Sequence, residues 1–154
     1  MKSVEEDELQ ISRLTEKDIS EVKRIESESN LSAWSRESYR EVLNNPTYIC
    51  LGTRINKKTI GFLVARLIIS INAAEVCNVA ISNLYRDKNL GSRLMREFLE
   101  FCRDKNLRRI FLEVRESNER ATAFYKKNGF VVVGKRKKFY AHPSEDALLM
   151  EREA

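Results

Sequence analysis

The strand–turn–helix segment from Asn78 to Leu94 constrains the fold more than any other part of the chain. It reads NVAISNLYRDKNLGSRL, in which an apolar run typical of a buried strand leads through a polar turn into an amphipathic helix. The turn consists of Arg86-Asp87-Lys88-Asn89-Leu90-Gly91-Ser92. Asparagine and glycine tolerate left-handed backbone, and the helix that follows directs its free N–H groups and positive dipole at the turn. The segment therefore predicts a phosphate-binding loop.

Length and composition are typical of a globular domain. The 154 residues are 42% hydrophobic and 33% charged, which supplies enough apolar material for one core. No apolar run approaches the roughly 20 residues that a membrane span requires, and the N-terminal residues lack the apolar centre of a signal peptide. We therefore expect a single domain over residues 1–154, no membrane contact and a cytoplasmic location.

Cysteine usage and charge narrow the chemistry further. Cys50, Cys77 and Cys102 are odd in number and far apart, which favours free thiols over a disulfide framework or a metal site. The net charge of +5 is concentrated in residues 103–109 and in Lys135-Arg136-Lys137-Lys138. Such basic surface attracts polyanions, and it suits nucleic acid and an acidic small-molecule donor equally.

Hydrophobic periodicity predicts a mixed α/β fold with the order β-α-α-β-β-β-α-β-α-β-β. Strands are expected at 9–13, 48–54, 59–70, 73–81, 109–114, 130–133 and 147–150, and helices at about 15–28, 35–43, 90–105 and 118–127. The three strands between 48 and 81 form an antiparallel meander. The strand at 109–114 follows a helical crossover, so it should run parallel to the strand at 73–81. The result is a mostly antiparallel central sheet flanked by about four helices.

These motifs and their order resemble the GNAT superfamily of acetyltransferases over nearly the whole chain. The loop matches the acetyl-CoA pyrophosphate motif of that superfamily, with Arg86 at its first position, Gly91 at its last and Asn89 replacing its first glycine. Within the superfamily the chain is most similar to N-terminal protein acetyltransferases, including the bacterial ribosomal-protein alanine enzymes. The likeness is carried by residues 34–35, 78–81, 112–118, 123–130, 139–140 and 145–150.

The resemblance implies acetyl-CoA as co-substrate and no metal. Its pyrophosphate would bind Arg86, Asp87, Lys88, Asn89, Leu90, Gly91 and Ser92. Its pantetheine arm would pair with the backbone of Val79, Ala80 and Ile81, which requires the parallel strands to splay apart. Asn118 would hydrogen-bond the same arm or cap the helix that follows it.

Two residues of the loop depart from an ideal diphosphate site. Asn89 is the next best residue to glycine at positive φ, and Asp87 would repel a diphosphate unless its side chain turns outward. Arg86 and Lys88 could compensate for that charge. We therefore expect weaker donor binding than glycine at position 89 would give.

The resemblance also implies a catalytic pair, with Glu113 as general base and Tyr125 as general acid. From the residues alone, Glu113 could equally be a solvated carboxylate paired with Arg115. Tyr125 could equally be a core aromatic packed against Phe124 or Phe130.

Tyr140, Tyr39 and Glu37 are the candidate residues for acceptor binding. In the resembling enzymes, aromatic residues in the loop before the last strand shape the acceptor groove. The alternatives are ordinary packed or exposed tyrosines, and a solvated glutamate at a helix start. His142, the only histidine, is expected in a surface loop.

Three functions remain open at this point. The first is acetylation of a protein N-terminus, such as that of a ribosomal protein, with Lys135–Lys138 contacting the ribosome. The second is acetylation of a lysine or of a small amine such as a polyamine. The third is a non-enzymatic nucleic-acid-binding module that uses the basic runs together with Phe139 and Tyr140.

Overall fold

A seven-stranded sheet organises the computed structural model, which describes residues 9–29, 33–141 and 144–154. The strands are β1 (Leu9–Arg13), β2 (Tyr48–Ile55), β3 (Lys58–Ile68), β4 (Ala73–Ile81), β5 (Arg109–Arg115), β6 (Val131–Ala141) and β7 (Ser144–Glu153). The α-helices are α1 (Ile19–Ser27), α2 (Arg36–Leu43), α3 (Leu90–Asp104) and α4 (Glu119–Lys127). The predicted order of strands and helices is confirmed; His142 lies outside the described residues.

The strands follow the order β1-β2-β3-β4-β5-β7-β6 across the sheet. All neighbouring pairs are antiparallel except β4 and β5, which are parallel as predicted. The parallel pair follows from the crossover through α3, because a strand that returns after a helix enters the sheet in the same direction.

The last two strands are longer than the sequence predicts. We expected strands at 130–133 and 147–150, whereas β6 and β7 together span most of the chain from Val131 to Glu153. The run Lys135–Lys138 has no alternation of apolar and polar residues, so periodicity did not reveal that it belongs to β6. Consequently Tyr140 lies on a strand and not in a loop before the last strand.

Local capping sets the helix boundaries. The Ser35 hydroxyl accepts a hydrogen bond from the Ser38 amide at 3.0 Å, and the Asn118 carboxamide oxygen accepts one from the Ala121 amide at 3.1 Å. Gly129 follows the last turn of α4 with φ +87, a backbone conformation that an L side chain disfavours. These caps are the ones that the sequence predicts.

Each face of the sheet carries its own core. On one face, α3 and α4 pack against the strands through the predicted stripe of Leu94, Met95, Phe98, Leu99 and Cys102, all of which are buried. On the other face, α1 and α2 cover β2 and β3, with buried Ile19, Val22, Ile25 and Tyr39.

The sheet opens between β4 and β5. The two strands pair only from Ala73 opposite Arg109 to Glu75 opposite Phe111, although β4 continues to Ile81 and β5 to Arg115. β3 stays paired with β4 as far as Ile81, so only the edge of β4 that faces β5 loses its partner. The predicted splayed parallel pair is therefore present.

A bulge at Cys77 accompanies the opening. Val64 on β3 lies opposite Asn78 and the adjacent Ala65 lies opposite Val76, so Cys77 is an additional residue in β4. Before the bulge Ala74 and Val76 pack in the α3 core, and after it Val79 and Ile81 do. The bulge thus shifts the side-chain alternation of β4 by one residue, as such irregularities do next to functional sites.

A buried carboxylate joins α1 to α2. Glu26 is only 3% exposed and accepts hydrogen bonds from the Trp34 amide at 3.1 Å, from the Lys23 ammonium at 3.2 Å and from the Tyr39 hydroxyl. Because an unpaired buried carboxylate is costly, each of these donors stabilises the fold.

Replacement of Tyr39 by Phe should lower the free energy of unfolding by about 2 kcal/mol, because Glu26 loses a donor that no solvent replaces. Urea unfolding measures this. Tyr85→Phe is the control, since the Tyr85 hydroxyl makes no hydrogen bond among the described residues. Equal stability of the two variants would contradict a structural role for Tyr39.

Candidate active site

The cleft between β4 and β5 presents unpaired backbone. Val79, Ala80 and Ile81 lie on β4 beyond its last pairing with β5, so the N–H and C=O groups on that edge have no strand partner. The carbonyl of Ile81 already accepts a hydrogen bond from the Arg86 side chain. An extended ligand rich in amides can complete these hydrogen bonds as an added strand would. The arrangement fits the predicted pantetheine site, and the contact itself stays a prediction.

The loop before α3 has the geometry of an anion site. Asn89 is the N-cap residue of α3 with φ +59, and Asp87 has φ +64. The first amides of α3, from Leu90 to Ser92, precede the first hydrogen bond inside the helix, that from Arg93 to Asn89. The first amides of α3 therefore have no partner inside the helix, as a phosphate cradle requires, and the binding of phosphate there stays a prediction.

Arg86 supports the loop from within the protein. Its guanidinium donates to the carbonyl oxygen of Ile81 at 3.0 Å, to that of Glu28 at 2.9 Å and to the Ser29 hydroxyl at 3.1 Å. These bonds tie the loop to the end of β4 and to the end of α1. The predicted contact of Arg86 with the phosphate stays a prediction.

The other loop residues are placed as follows. The Asp87 side chain is 95% exposed and lies 3.9 Å from the Arg120 guanidinium, so it does turn outward. Lys88 is half-buried, and Leu90 buries its side chain beside Ile55 and Ile60. Leu90 can therefore offer only its backbone to a ligand.

Gly91 and Ser92 join the loop to α4. A Cβ atom on Gly91 would lie 3.0 Å from the Phe124 ring, so glycine at this position allows close packing. The sequence suggested positive φ as a further reason for the glycine, but Gly91 does not have a positive φ. The Ser92 hydroxyl accepts a hydrogen bond from the Asn128 amide group at 3.2 Å. Asn118 caps α4, and its contact with the donor stays a prediction.

Glu113 projects from β5 on the face opposite α3, because its neighbours Leu112 and Val114 pack in the α3 core. Its side chain is 21% exposed and accepts a hydrogen bond from Arg136 Nη1 at 2.9 Å. The alternative pairing with Arg115 is wrong. Arg115 contacts Glu145 at 3.4 Å, since the antiparallel register of β5 and β7 brings those two side chains to one face.

Tyr125 is a core residue with titratable neighbours on β4 and β6. Its ring packs against Phe124 at 5.4 Å and Phe130 at 5.7 Å between centroids, in the α3 core. Burial raises the pKa of Tyr125 far above its usual value, and negative charge at Tyr140 and Cys77 would raise it further. The hydroxyl therefore keeps its proton at neutral pH and can donate it.

Tyr125, Tyr140, Glu113, Glu75 and Cys77 form a chain of electrostatic neighbours. Charge at Tyr140 and at Cys77 affects the pKa of Tyr125, as above. Burial is the main cause of the raised pKa of Tyr140 and of Glu75, and the charge of Glu113 raises both values further. Burial raises the pKa of Cys77 to about 12, with Glu75 adding to the effect. Tyr140 is thus an electrostatic neighbour of both Glu113 and Tyr125, and the meeting of these two residues at one substrate stays a prediction.

The places of Glu75, Cys77 and the contact of Arg136 were not predicted from the sequence. Glu75 is the one acidic residue within β4, which is otherwise largely apolar, and that contrast is its signal in the sequence. The position of Cys77 depends on the bulge, and Arg136 was assigned to a solvent-exposed basic run. Neither the position of Cys77 nor the contact of Arg136 is indicated by residues nearby in the sequence.

The candidate acceptor residues occupy different environments. Tyr140 is half-buried, and the Arg115 guanidinium stacks 4.2 Å from its ring centre. Tyr39 is 2% exposed and packs in the core beneath α2. It therefore matches the alternative interpretation of an ordinary packed tyrosine, and it leaves little surface for substrate. Glu37 is exposed in the first turn of α2, the environment of a solvated helix-start carboxylate.

Membrane-spanning helices and metal-binding groups are both absent from the parts of the chain that the structure describes. No helix there is long and apolar enough to cross a membrane. No group of three or more His, Cys, Asp or Glu side chains there is placed to hold a metal ion.

Comparison with known proteins agrees with this geometry. The model of the Acetyltransferase (GNAT) family matches residues 19–130. A Bacillus subtilis protein named as a candidate ribosomal protein bS18-alanine N-acetyltransferase is 39% identical over 134 residues, covering 86% of this chain and 87% of that protein. The Haemophilus influenzae ribosomal protein bS18-alanine N-acetyltransferase is 31% identical, covering 91% and 95%. The structure of Ard1 from Thermoplasma volcanium has a TM-score of 0.86 at 28% identity, covering 96% and 98%.

Position 89 offers a test of the loop. Asn89→Gly should lower the dissociation constant for acetyl-CoA several-fold, because glycine adopts φ +59 without strain and admits the ligand closely. Asn89→Ala, the matched control, removes the same side chain but carries about 1 kcal/mol of left-handed strain, so binding should weaken. Calorimetric titration with acetyl-CoA measures both. Unchanged or weaker binding by Asn89→Gly would contradict the expectation.

Proposed function

The chain belongs to the acetyltransferase (GNAT) family and is an acetyl-CoA-dependent N-acetyltransferase, and from that premise we propose that its acceptor is a protein N-terminus. Residues 1–154 would form one catalytic domain that acetylates the α-amine of a ribosomal protein. The proposal is supported by the opening between β4 and β5, by the position of Glu113 on β5 beyond the last pairing with β4, and by the raised pKa of Tyr125 on α4. The names of the Bacillus and Haemophilus relatives support the choice of acceptor.

The donor would lie along the opening. The unpaired edge of β4 from Val79 to Ile81 would hold its amide-rich arm, and the first amides of α3 would hold its diphosphate. The acetyl group would then reach the mouth of the cleft, between Glu113 on one side and Tyr125 on the other. Such positioning supplies much of the rate, because a thioester is already activated toward amines.

Glu113 would accept a proton from the acceptor ammonium. Deprotonation at neutral pH costs about 1 kcal/mol for an α-amine and about 5 kcal/mol for a lysine, because their pKa values are about 7.7–8.0 and about 10.4. A carboxylate is a strong enough base to deprotonate an α-amine, for which the cost is the smaller of the two. Arg136 holds one oxygen of Glu113 at 2.9 Å, and a carboxylate has a second oxygen with which to meet the ammonium.

Tyr125 would donate a proton to the sulfur that leaves the acetyl group. Burial keeps its hydroxyl protonated until that step. Cys77, the thiol at the cleft, has its pKa raised to about 12 by burial, so it is a poor nucleophile at neutral pH. Acetyl would therefore pass directly to the amine, without an acetyl-cysteine stage.

The charges around the acceptor position disfavour a polyamine. Glu113 is paired with Arg136 and Glu145 with Arg115, so each carboxylate there is already neutralised by an arginine. A polycation would need an excess of acidic groups. The non-enzymatic nucleic-acid module is also excluded as the main function, since the chain belongs to an enzyme family.

Ribosome contact would depend on half of the basic run. Lys135 is bound to Glu116 at 2.6 Å and Arg136 to Glu113 at 2.9 Å, so these two cations are engaged within the protein. Contact with ribosomal RNA would therefore fall to the side chains of Lys137 and Lys138.

An acceptor panel tests the proposal. The enzyme should acetylate peptides with a free N-terminal alanine, with or without lysine, and should not acetylate the same peptides after the N-terminus is blocked. Mass spectrometry of the products locates the acetyl group. Acetylation of lysine in blocked peptides would overturn the assignment of the acceptor and leave the donor site intact.

Substitution at the catalytic pair tests the mechanism. Glu113→Gln and Tyr125→Phe should each lower kcat by about 10²-fold or more, the usual contribution of a general base or acid. Glu116→Gln is the control, because Glu116 is a carboxylate directly after the end of β5 and is paired with the exposed Lys135. Steady-state kinetics with saturating acetyl-CoA measures all three. Near-normal kcat for Glu113→Gln would remove its role as base.

A further inference from the structure

Phe139 is an exposed aromatic residue of β6 that is contacted on two sides. Its side chain is 43% exposed. The Arg136 guanidinium stacks 4.6 Å from the centre of its ring, and the Tyr140 ring meets it edge-on with 5.0 Å between centroids. A cation is attracted to this position because the face of an aromatic ring carries partial negative charge. The Phe139 ring therefore supports the Arg136 side chain.

The backbone of β6 is irregular where these two residues lie. Residues three apart on a regular strand point to opposite faces of the sheet, as Arg136 and Phe139 would. The pairing of β6 with β7 shifts register between Arg136 and Tyr140, and Lys138 in this stretch has φ +51. The Lys138 amide donates a hydrogen bond to the Asp146 carboxylate at 2.8 Å. The irregular stretch thus brings the arginine over the ring, at the cost of a left-handed lysine.

The same guanidinium holds the carboxylate of Glu113. Arg136 Nη1 donates to Glu113 Oε1 at 2.9 Å. Arg136 is 58% exposed, and an ion pair of that exposure is weak alone because both long side chains keep other conformations. The Phe139 ring removes part of that freedom for the arginine. Glu113 lies beyond the last pairing of β5 with β4, so β4 does not confine its side chain.

We propose that Arg136 and Phe139 are positioning residues for the general base, with Phe139 acting through Arg136. The inference rests on the role of Glu113 in the proposed function. The guanidinium fixes one oxygen of Glu113, and the other oxygen is left to take the proton of the acceptor ammonium. Arg136 transfers no proton itself, because a guanidinium stays protonated. A base must lie within hydrogen-bond reach of the proton it takes, so loss of this support lowers the rate of the chemical step.

The chain contains a second trio of the same chemistry, which serves as a matched control. Arg109 stacks 5.2 Å from the centre of the Phe111 ring and is bound to Glu151. Both arginines are 58% exposed, and the exposure of Glu151 is 26% against 21% for Glu113. Arg109 lies opposite Ala73, at the closed end of the β4–β5 pair. Substitutions in this trio remove the same interactions without reaching the base.

The test measures steady-state acetylation of a peptide with a free N-terminus by Arg136→Met, by Phe139→Leu and by the double variant. Arg136→Met should lower kcat about tenfold, less than Glu113→Gln does, and Phe139→Leu should lower it about threefold. KM for acetyl-CoA should not change. The double variant should be no slower than Arg136→Met, because a residue that acts through Arg136 has no effect once the guanidinium is gone.

Conservative variants separate positioning from folding. Phe139→Tyr keeps the ring and should have the kcat of the wild type, and Arg136→Lys keeps the charge and should recover part of the loss. Arg109→Met and Phe111→Leu, the matched controls, should leave kcat unchanged.

A Phe139→Leu enzyme with normal kcat would overturn the inference. A raised KM for the peptide at unchanged kcat would also overturn it, because Phe139 would then be a wall of the acceptor groove. Losses that multiply in the double variant would do the same, since the two residues would act separately. If Glu113→Gln is slow in these cases, the proposed function stands without this support. If Glu113→Gln is near normal, the base itself is wrongly assigned and the inference fails with it.

Discussion

The parting of β4 and β5 after Glu75 is the feature on which the site depends. Backbone groups inside a sheet are normally paired, so a strand left unpaired along one edge is stable only if solvent or a ligand completes its hydrogen bonds. The bulge at Cys77 and the α3 crossover place this edge in the interior of the sheet and not at its rim. The opening therefore connects the two faces, and side chains from both can reach one substrate.

Much of this architecture could be predicted because its causes are local. Ser35 and Asn118 cap helices through atoms within three residues of themselves, and the apolar stripe of α3 appears as simple spacing. The left-handed Asn89 before α3 is equally local. The parallel pair also follows from the sequence, because a helix separates its two strands. A resemblance to a known superfamily added the proposed catalytic pair, which periodicity alone would have assigned to the surface and the core.

The remainder depends on partners distant in sequence. The Arg86 guanidinium bonds to Glu28, and Arg136 bonds to Glu113, across separations that no pattern of spacing encodes. The place of Glu75 beside Glu113 depends on strand register. The length of β6 was missed because its basic residues carry no alternation, and its pairing with β7 extends the strand regardless of that composition. In each case tertiary contacts override the local signal.

The contact of Gly91 with the Phe124 ring links the two halves of the site mechanically. Together with the bonds from Lys127 to Asn89 and from Asn128 to Ser92, it fixes α4 to the start of α3. A displacement of α4 would therefore be transmitted to the loop, so the position of the Tyr125 hydroxyl and that of the first amides of α3 are set by the same contacts.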